Sequence, residues 1–396
     1  MANTQNLDYY INKSLNNSPL LKDYQNQIEA SGMDSLMIIA SQKPQINANA
    51  TALYAPSFTD VIHGYDAAIT NGGTYSTTIS AQQYIFNKKS LSSKYENIHI
   101  QQRSLINTRK VSTNDLKRVV TNQYLAVYAD YSDITFNKSF LKLLNDERDI
   151  LKSLVQQGIY KQTDFLSLLI ETQTQEILVN QLSAQLTKDI HGLNQICGIN
   201  DTANSQFSFP SIANNEQTDH SSNPLFQQFK IDSLKIVNQR STIDVGYKPK
   251  ISLIADVGFL SSTISNVYQH YGFSAGVNFT IPLYDGHQRK INYQRLAISE
   301  NTRSNYESYF KNQYSQQVSQ LQNDISFSKM MIEQQRNLLK SSEELITMAK
   351  VQLNHGNLLI TDFLSAAKNY ITINRNLNQS QIKVLQLINE LNYLYQ

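Results

Sequence analysis

Residues 272–286 read Gly-Phe-Ser-Ala-Gly-Val-Asn-Phe-Thr-Ile-Pro-Leu-Tyr-Asp-Gly. Phe273, Ala275, Val277, Phe279, Ile281 and Leu283 alternate with Ser274, Gly276, Asn278 and Thr280. Neighbouring side chains of a strand point to opposite faces, so this strict period of two predicts a strand over 271–284 with one apolar and one polar face. Such a strand is either half of a soluble sheet or, at this length, a membrane-spanning strand. The segment before it, 249–260, behaves alike, with Ile251, Leu253, Ala255, Val257 and Phe259 on one face.

Both segments occur twice. Asn17–Tyr54 matches Ser222–Phe259 at an offset of 205, placing Pro19 on Pro224, Lys43-Pro44 on Lys248-Pro249 and Ile46 on Ile251. After a variable stretch the match resumes at an offset of 198. Gly158 falls on Gly356, and Thr163-Asp164-Phe165-Leu166-Ser167 recurs as Thr361-Asp362-Phe363-Leu364-Ser365. The chain is therefore a tandem duplication, and the seven-residue difference lies in the loop between the paired strands. The first copy has Ile46, Ala48, Ala50 and Ala52 against Asn47, Asn49 and Thr51, then Tyr75, Thr77, Ile79 and Ala81 against Ser76, Thr78 and Ser80.

Glycine and proline punctuate the rest. No proline lies between 57 and 209 or after 282, and Gly158 and Gly356 are the lone glycines within long stretches. Stretches without either residue read as long helices, each about 100 Å at ~1.5 Å per residue. Ile332, Leu339, Ile346 and Leu353 recur every seven residues, the spacing of coiled-coil packing. The expected organisation is a first repeat, 1–198, with a helix 5–41, strands 43–55 and 74–86, and helices 88–157 and 163–198. A linker, 199–221, precedes a second repeat, 222–396, with a helix 223–246, strands 249–260 and 271–284, and helices 287–355 and 361–396.

Composition narrows the function. The net charge of +2 lacks the footprint of a nucleic-acid binder, and a single cysteine, Cys197, excludes a disulfide framework. The seven histidines are dispersed, no metal-ligand spacing occurs, and no glycine-rich phosphate loop is present. Gly272-Phe-Ser274-Ala-Gly276 matches the nucleophile-elbow pattern in form only, because that motif requires a sharp strand-to-helix turn and this one lies inside continuous alternation. The expectation is a protein without catalytic residues, cofactor or metal. No run of 18 apolar residues exists, and the N-terminus has no basic start followed by an apolar core. If the strands enter a bilayer, four of them leave open edges that hydrocarbon does not tolerate, so several copies must pool them. Three copies would supply twelve strands, an even number within the known range.

The order of elements carries a resemblance. Helix, Lys-Pro stop, hairpin, long helix, Gly-x5-Asp turn and return helix, all done twice, is similar to the TolC-like outer-membrane efflux protein family. The strand ending Ile281-Pro-Leu-Tyr-Asp-Gly286 before a basic helix start, and the opening Leu7-Asp-Tyr-Tyr-Ile with Leu15-Asn-Asn-Ser-Pro-Leu20, resemble that family's strand–helix junction and first helix. The resemblance spans roughly residues 5–396. It implies a mainly α fold with a β-barrel part: long helical hairpins forming an α-barrel, and four strands per chain in a trimeric twelve-stranded transmembrane barrel. It implies a passive channel in a Gram-negative outer membrane with a large periplasmic part, whose export signal has been removed, Met1-Ala2 being an added start. The implied partners are two further copies, outer-membrane lipid, a periplasmic adaptor and an inner-membrane pump of the RND or ABC type. A type I protein-secretion channel, or a soluble coiled-coil adaptor or scaffold, stays open beside tripartite efflux.

The resemblance also assigns residues. Gly158, Ile159, Gly356 and Asn357 fall at the tip where adaptors dock. Asp164, Asp362, Leu358, Leu353 and Ser365 fall at the pore constriction. Leu358 and Leu353 replace the basic and aromatic residues that such a gate can carry, which implies an apolar or acidic constriction rather than a salt-bridged one. The alternating strands are expected to turn Ile46, Ala48, Val277, Phe279 and Ile281 to lipid and Asn47, Asn278 and Thr280 to a lumen. Residues 55–74 and 260–271 are expected as extracellular loops.

Overall fold

The computed structural model describes residues 4–55, 72–86, 88–200, 206–215, 223–262 and 269–396. Of the expected loops 55–74 and 260–271, residues 56–71 and 263–268 lie outside these residues. Helix α1 (Leu7–Asn17) starts where Asn6 Oδ1 accepts the Tyr9 N–H at 3.0 Å, a side-chain N-cap. It stops at Ser18, and α2 (Pro19–Ala40) begins on the proline. The single helix expected over 5–41 is thus two, because Pro19 has no N–H to continue the first helix yet suits the first position of the second.

The two longest elements are α3 (Lys88–Gln156, 69 residues) and α6 (Gln288–Asn354, 67 residues). Each is followed by a 36-residue return helix, α4 (Gln162–Cys197) and α7 (Ile360–Tyr395). Helix α5 (Pro224–Gly246) mirrors α2. The stretch expected as a linker holds a two-residue strand, β4 (Gln206–Phe207), which pairs in parallel with β1 (Thr4–Gln5).

The remaining strands, β2 (Gln45–Ala55), β3 (Gly72–Ile85), β5 (Lys250–Ser261) and β6 (Tyr271–Thr280), form one antiparallel sheet in the order β2-β3-β5-β6. Strand β6 ends at Thr280 rather than 284. Pro282 cannot donate to a ladder, and Leu283 projects from the chain at 94% exposure. The register makes the alternation a property of the whole sheet. Ala48, Ile79, Val257 and Phe273 stand opposite one another in one row, and Asn47, Ser80, Asp256 and Ser274 in the next. Ile46, Ala48, Val277 and Phe279 accordingly share one face, while Asn47, Asn278 and Thr280 share the other.

Contacts divide the chain into two compact units that cut across both repeats. One comprises Met1–Asp23, Thr108–Gln227 and Glu307–Gln396, the other Tyr24–Asn107 and Gln228–Tyr306. The first holds the apolar cores. On α6, Val318, Ile325, Ile332, Ser342, Ile346, Ala349 and Leu353 are buried, with Leu321 and Leu339 packed beside them. The seam advances in steps of three, four or seven residues, the spacing of a heptad coil. Val318, Ile325 and Ile332 cluster with Leu377, Val384, Leu387, Ile388 and Leu391 of α7, and Ile346, Ala349 and Leu353 with Phe363, Ala366 and Ala367. A second cluster gathers Tyr10, Val120, Tyr124, Val127, Leu193, Cys197 and Phe207.

The other unit contains the sheet and buries Ser93, Asn107 and Asn238 as well as Ile98, Ile100 and Ile231. Ser93 Oγ donates to Asn238 Oδ1 at 3.2 Å, and Asn107 Nδ2 to Gln228 Oε1 at 3.2 Å. Every described residue of β6 is exposed, as is nearly all of β2, so no layer covers either face of these strands within the chain.

Candidate functional site

The tips of the two helical hairpins are built from the repeated Gly-x5-Asp sequence. Gly158 and Gly356 adopt φ +77° and +75°, the left-handed conformation that glycine enters without a Cβ clash. At the first tip the Gly158 N–H donates to Val155 O at 3.0 Å and the Ile159 N–H to Leu154 O at 3.0 Å. At the second, Gly356 N–H donates to Leu353 O at 3.1 Å and Asn357 N–H to Gln352 O at 2.9 Å. Both are Schellman caps, which satisfy the orphan carbonyls of the ending helix.

The aspartates that follow differ. Asp164 Oδ2 accepts the Lys161 N–H at 2.9 Å, fastening the first turn of α4. Asp362 sits at the same position of α7, exposed, and its carboxylate has no hydrogen-bond partner among the described residues. The repeat is thus symmetric in backbone and asymmetric in side-chain use.

The two tips touch. A Cβ on Gly356 would fall 2.7 Å from Ile159 Cγ2, so Ile159 fills the space that the glycine leaves. A Cβ on Gly158 would meet nothing within 4 Å. The Tyr160 hydroxyl lies 2.9 Å from Leu353 O and 2.7 Å from Leu358 O, tying the first tip to the carbonyls around the second. Burial pushes the Tyr160 phenol above its usual range. Beneath lies a core of Phe140, Leu144 and Leu151 from α3, Leu168 from α4, Ile346 and Leu353 from α6, and Ile360 and Phe363 from α7.

Of the residues assigned to a constriction, Asp164, Asp362, Leu358 and Ser365 sit around this tip with accessible surface. Leu353 does not: it is 1% exposed within the core, because its place on the heptad seam turns it toward the neighbouring helices. Gly158, Ile159, Gly356 and Asn357 are all exposed at the tip.

Two features escaped the sequence reading. Tyr160 occupies the position that Leu358 holds in the second repeat, and because all four residues between the glycine and the threonine differ between the two tips, nothing in the repeat singled it out. Glu147 on α3 is fully buried, with Lys350 Nζ of α6 2.8 Å from its Oε1. Its position on a mixed-charge stretch gave no sign of burial. Higher on α3, burial first and then facing Asp189 of α4 raise the Asp130 carboxyl to about 7.

Ser274 lies on the polar face of β6, where its hydroxyl donates to Asp256 Oδ2 at 3.2 Å, with no turn to raise it as a nucleophile. Cys197 is buried, which pushes its thiol up to about 11. No group of three metal-ligating side chains occurs among the described residues. No helix among them is long and apolar enough to cross a membrane.

Long double helical hairpins with a four-stranded sheet define the fold of solved outer-membrane channels. A membrane protein from Pseudomonas aeruginosa superposes with a TM-score of 0.79 at 15% identity, covering 98% of this chain and 90% of that one. The Campylobacter jejuni CmeC outer membrane channel gives 0.78 at 12% identity, with 98% and 85% covered. The open-state Neisseria gonorrhoeae MtrE outer membrane channel gives 0.75 at 13% identity, with 98% and 88% covered. No family model and no curated protein matches the sequence.

Proposed function

We propose that three copies of this chain form a passive export channel in the outer membrane of a Gram-negative cell. The observation that carries the reading is the sheet. It has one apolar and one polar face, left exposed along β2 and β6, and the outer edges of these two long strands have no partner among the described residues. In water, Phe273 at 87%, Tyr54 at 71% and Val277 at 66% exposure would leave an aggregation-prone surface. In a bilayer the same surface is the lipid contact, and pairing β6 of one copy with β2 of the next removes every edge. A soluble coiled-coil scaffold has no use for such a sheet.

The channel carries out no chemistry. Its helices would continue the barrel as a periplasmic tunnel, with Gly158, Ile159, Gly356 and Asn357 as the docking surface for an adaptor protein linked to an inner-membrane pump. Asp362 would ring the mouth three times, with Leu358 and Ser365 beside it. Asp164 contributes less, because its carboxylate is engaged at the start of α4. Leu353, buried, drops out of the constriction. Tripartite efflux is preferred, with RND- and ABC-type pumps, including type I secretion, sharing this architecture.

Cross-linking of the detergent-solubilised protein, followed by single-channel recording in planar bilayers, tests the proposal. Trimers with discrete conductance steps are expected. A monomer that stays soluble without detergent would overturn it.

A further inference from the structure

We propose that the strand–helix junction contains a binding site for a phosphate group, in a cavity walled by α3, α5 and α6. The cavity measures about 640 Å³ and is lined by side chains spaced along one face of each helix, from Ser90 to Asn97 on α3, from Asn238 to Val245 on α5 and from Asn292 to Ser299 on α6, with Glu96 and Asp244 outside the lining. These are the first turns of α3 and α6 and the last turns of α5, so the cavity lies at the strand end of the helices, about 10 Å along them at ~1.5 Å per residue. Two cations, Lys94 and Arg295, belong to its wall, and no carboxylate does.

Neither cation has an acidic partner within salt-bridge distance among the described residues. Lys94 Nζ instead lies 4.3 Å above the Phe86 ring. The polar floor is already organised: Ser93 Oγ bonds Asn238 Oδ1, and Thr242 Oγ1 stands 3.0 Å from Ser93 Oγ. The amides of Asn97, Gln239 and Asn292 and the hydroxyls of Ser90 and Ser299 add further polar groups, and Ile243, Val245 and Leu296 form the apolar part of the wall. Two like charges on one cavity repel, and a multivalent oxyanion relieves that repulsion while accepting several N–H and O–H donors at once.

The surroundings reinforce the sign. Lys88, Lys89, Lys248, Lys250 and Lys290 lie in sequence at the strand–helix junctions, against Glu96, Asp244 and Asp285. Asp244 and Asp285 there are otherwise engaged: Arg289 reaches Asp244 at 2.7 Å, and the Tyr247 hydroxyl donates to Asp285 at 2.5 Å. Hydrogen bonds from Tyr293 and Arg289 hold the Asp244 carboxyl below its usual range. Phosphate chemistry can come from a soluble ion or, if the strands span a bilayer as proposed, from an anionic phospholipid headgroup beside the junction.

Two arms separate these sources. The full-length protein in detergent is titrated calorimetrically with inorganic phosphate. In parallel it is placed in nanodiscs of phosphatidylcholine with or without phosphatidylglycerol, and retained lipid is counted by native mass spectrometry. Binding in the first arm assigns a soluble anion, and retained phosphatidylglycerol in the second assigns a headgroup. Either should fall at least tenfold in Lys94→Gln/Arg295→Gln, while Arg295→Lys and the remote Lys340→Gln keep it. Thermal melts identify a misfolded variant, in which case Lys94→Gln alone gives the comparison. Equal binding by wild type and the charge-removed variants, or no binding in both arms, overturns the site. Neither arm measures conductance, so its failure leaves the channel reading standing.

Discussion

Gly356 and Gly158 share a backbone conformation but not an environment, and substitutions should separate the two costs. A side chain in the left-handed region costs roughly 1–2 kcal/mol. Gly158→Ala should lose about that much, because its Cβ would enter open space. Gly356→Ala should lose more, its Cβ falling 2.7 Å from Ile159 Cγ2. Replacing Ile159 by Ala in the Gly356→Ala background should recover the difference in chemical denaturation. Equal losses at both glycines would deny the contact between the tips. Glu147 poses a second residue-scale test. Lys350→Met strands a fully buried carboxylate and should destabilise by about 3–5 kcal/mol. Glu147→Leu/Lys350→Met should be near wild type, since no buried carboxylate is then left without its cation.

Helices α3 and α4 meet at Asp130 and Asp189. The folded Asp130 keeps its proton up to about pH 7, against an unfolded value of 3.8. Across that interval the folded chain binds more protons than the unfolded one, so stability falls as pH rises and is lowest above the folded value. Asp130→Asn should raise the melting temperature at pH 8 and flatten its decline between pH 5 and 8; an unchanged pH profile would rule the pair out. Whether an element was legible in the sequence follows from its periodicity. The four long strands announced themselves by alternation, and the long helices by their lack of glycine and proline. The α1–α2 break needed the weight of Pro19, and β1 and β4 are two residues each, too short for any period. The tip was legible as Gly-x5-Asp, because a left-handed cap leaves a sequence mark. Tyr160, Glu147 and the burial of Leu353 depend on which helices meet, and the order of residues along one helix does not encode that.

At the scale of the whole molecule, the sheet register and the tip acids make claims about an assembly. Three unpaired Asp362 carboxylates around one axis would favour cations at the mouth, so Asp362→Asn should lower cation selectivity in bilayer recordings and leave trimer stability unchanged. Asp164→Asn should instead weaken the start of α4, by ~0.3–1 kcal/mol, with little effect on selectivity. The sheet gives the sharper test, because adjacent residues of one strand must behave oppositely. Val277 shares the row of Leu253 on the apolar face, and Asn278 shares that of Ser252 on the polar face. If the apolar face meets lipid, Val277→Arg places a cation in hydrocarbon and should cost roughly 2–4 kcal/mol near the midplane, whereas Asn278→Arg in a wet lumen should cost little. In a soluble sheet with both faces in water, the two substitutions would be equally mild. Refolding into lipid vesicles measures the difference directly. Cysteines at the two positions add an independent reading, since a membrane-impermeant thiol reagent should modify 278 and spare 277, and labelling at 277 alone would turn the sheet inside out.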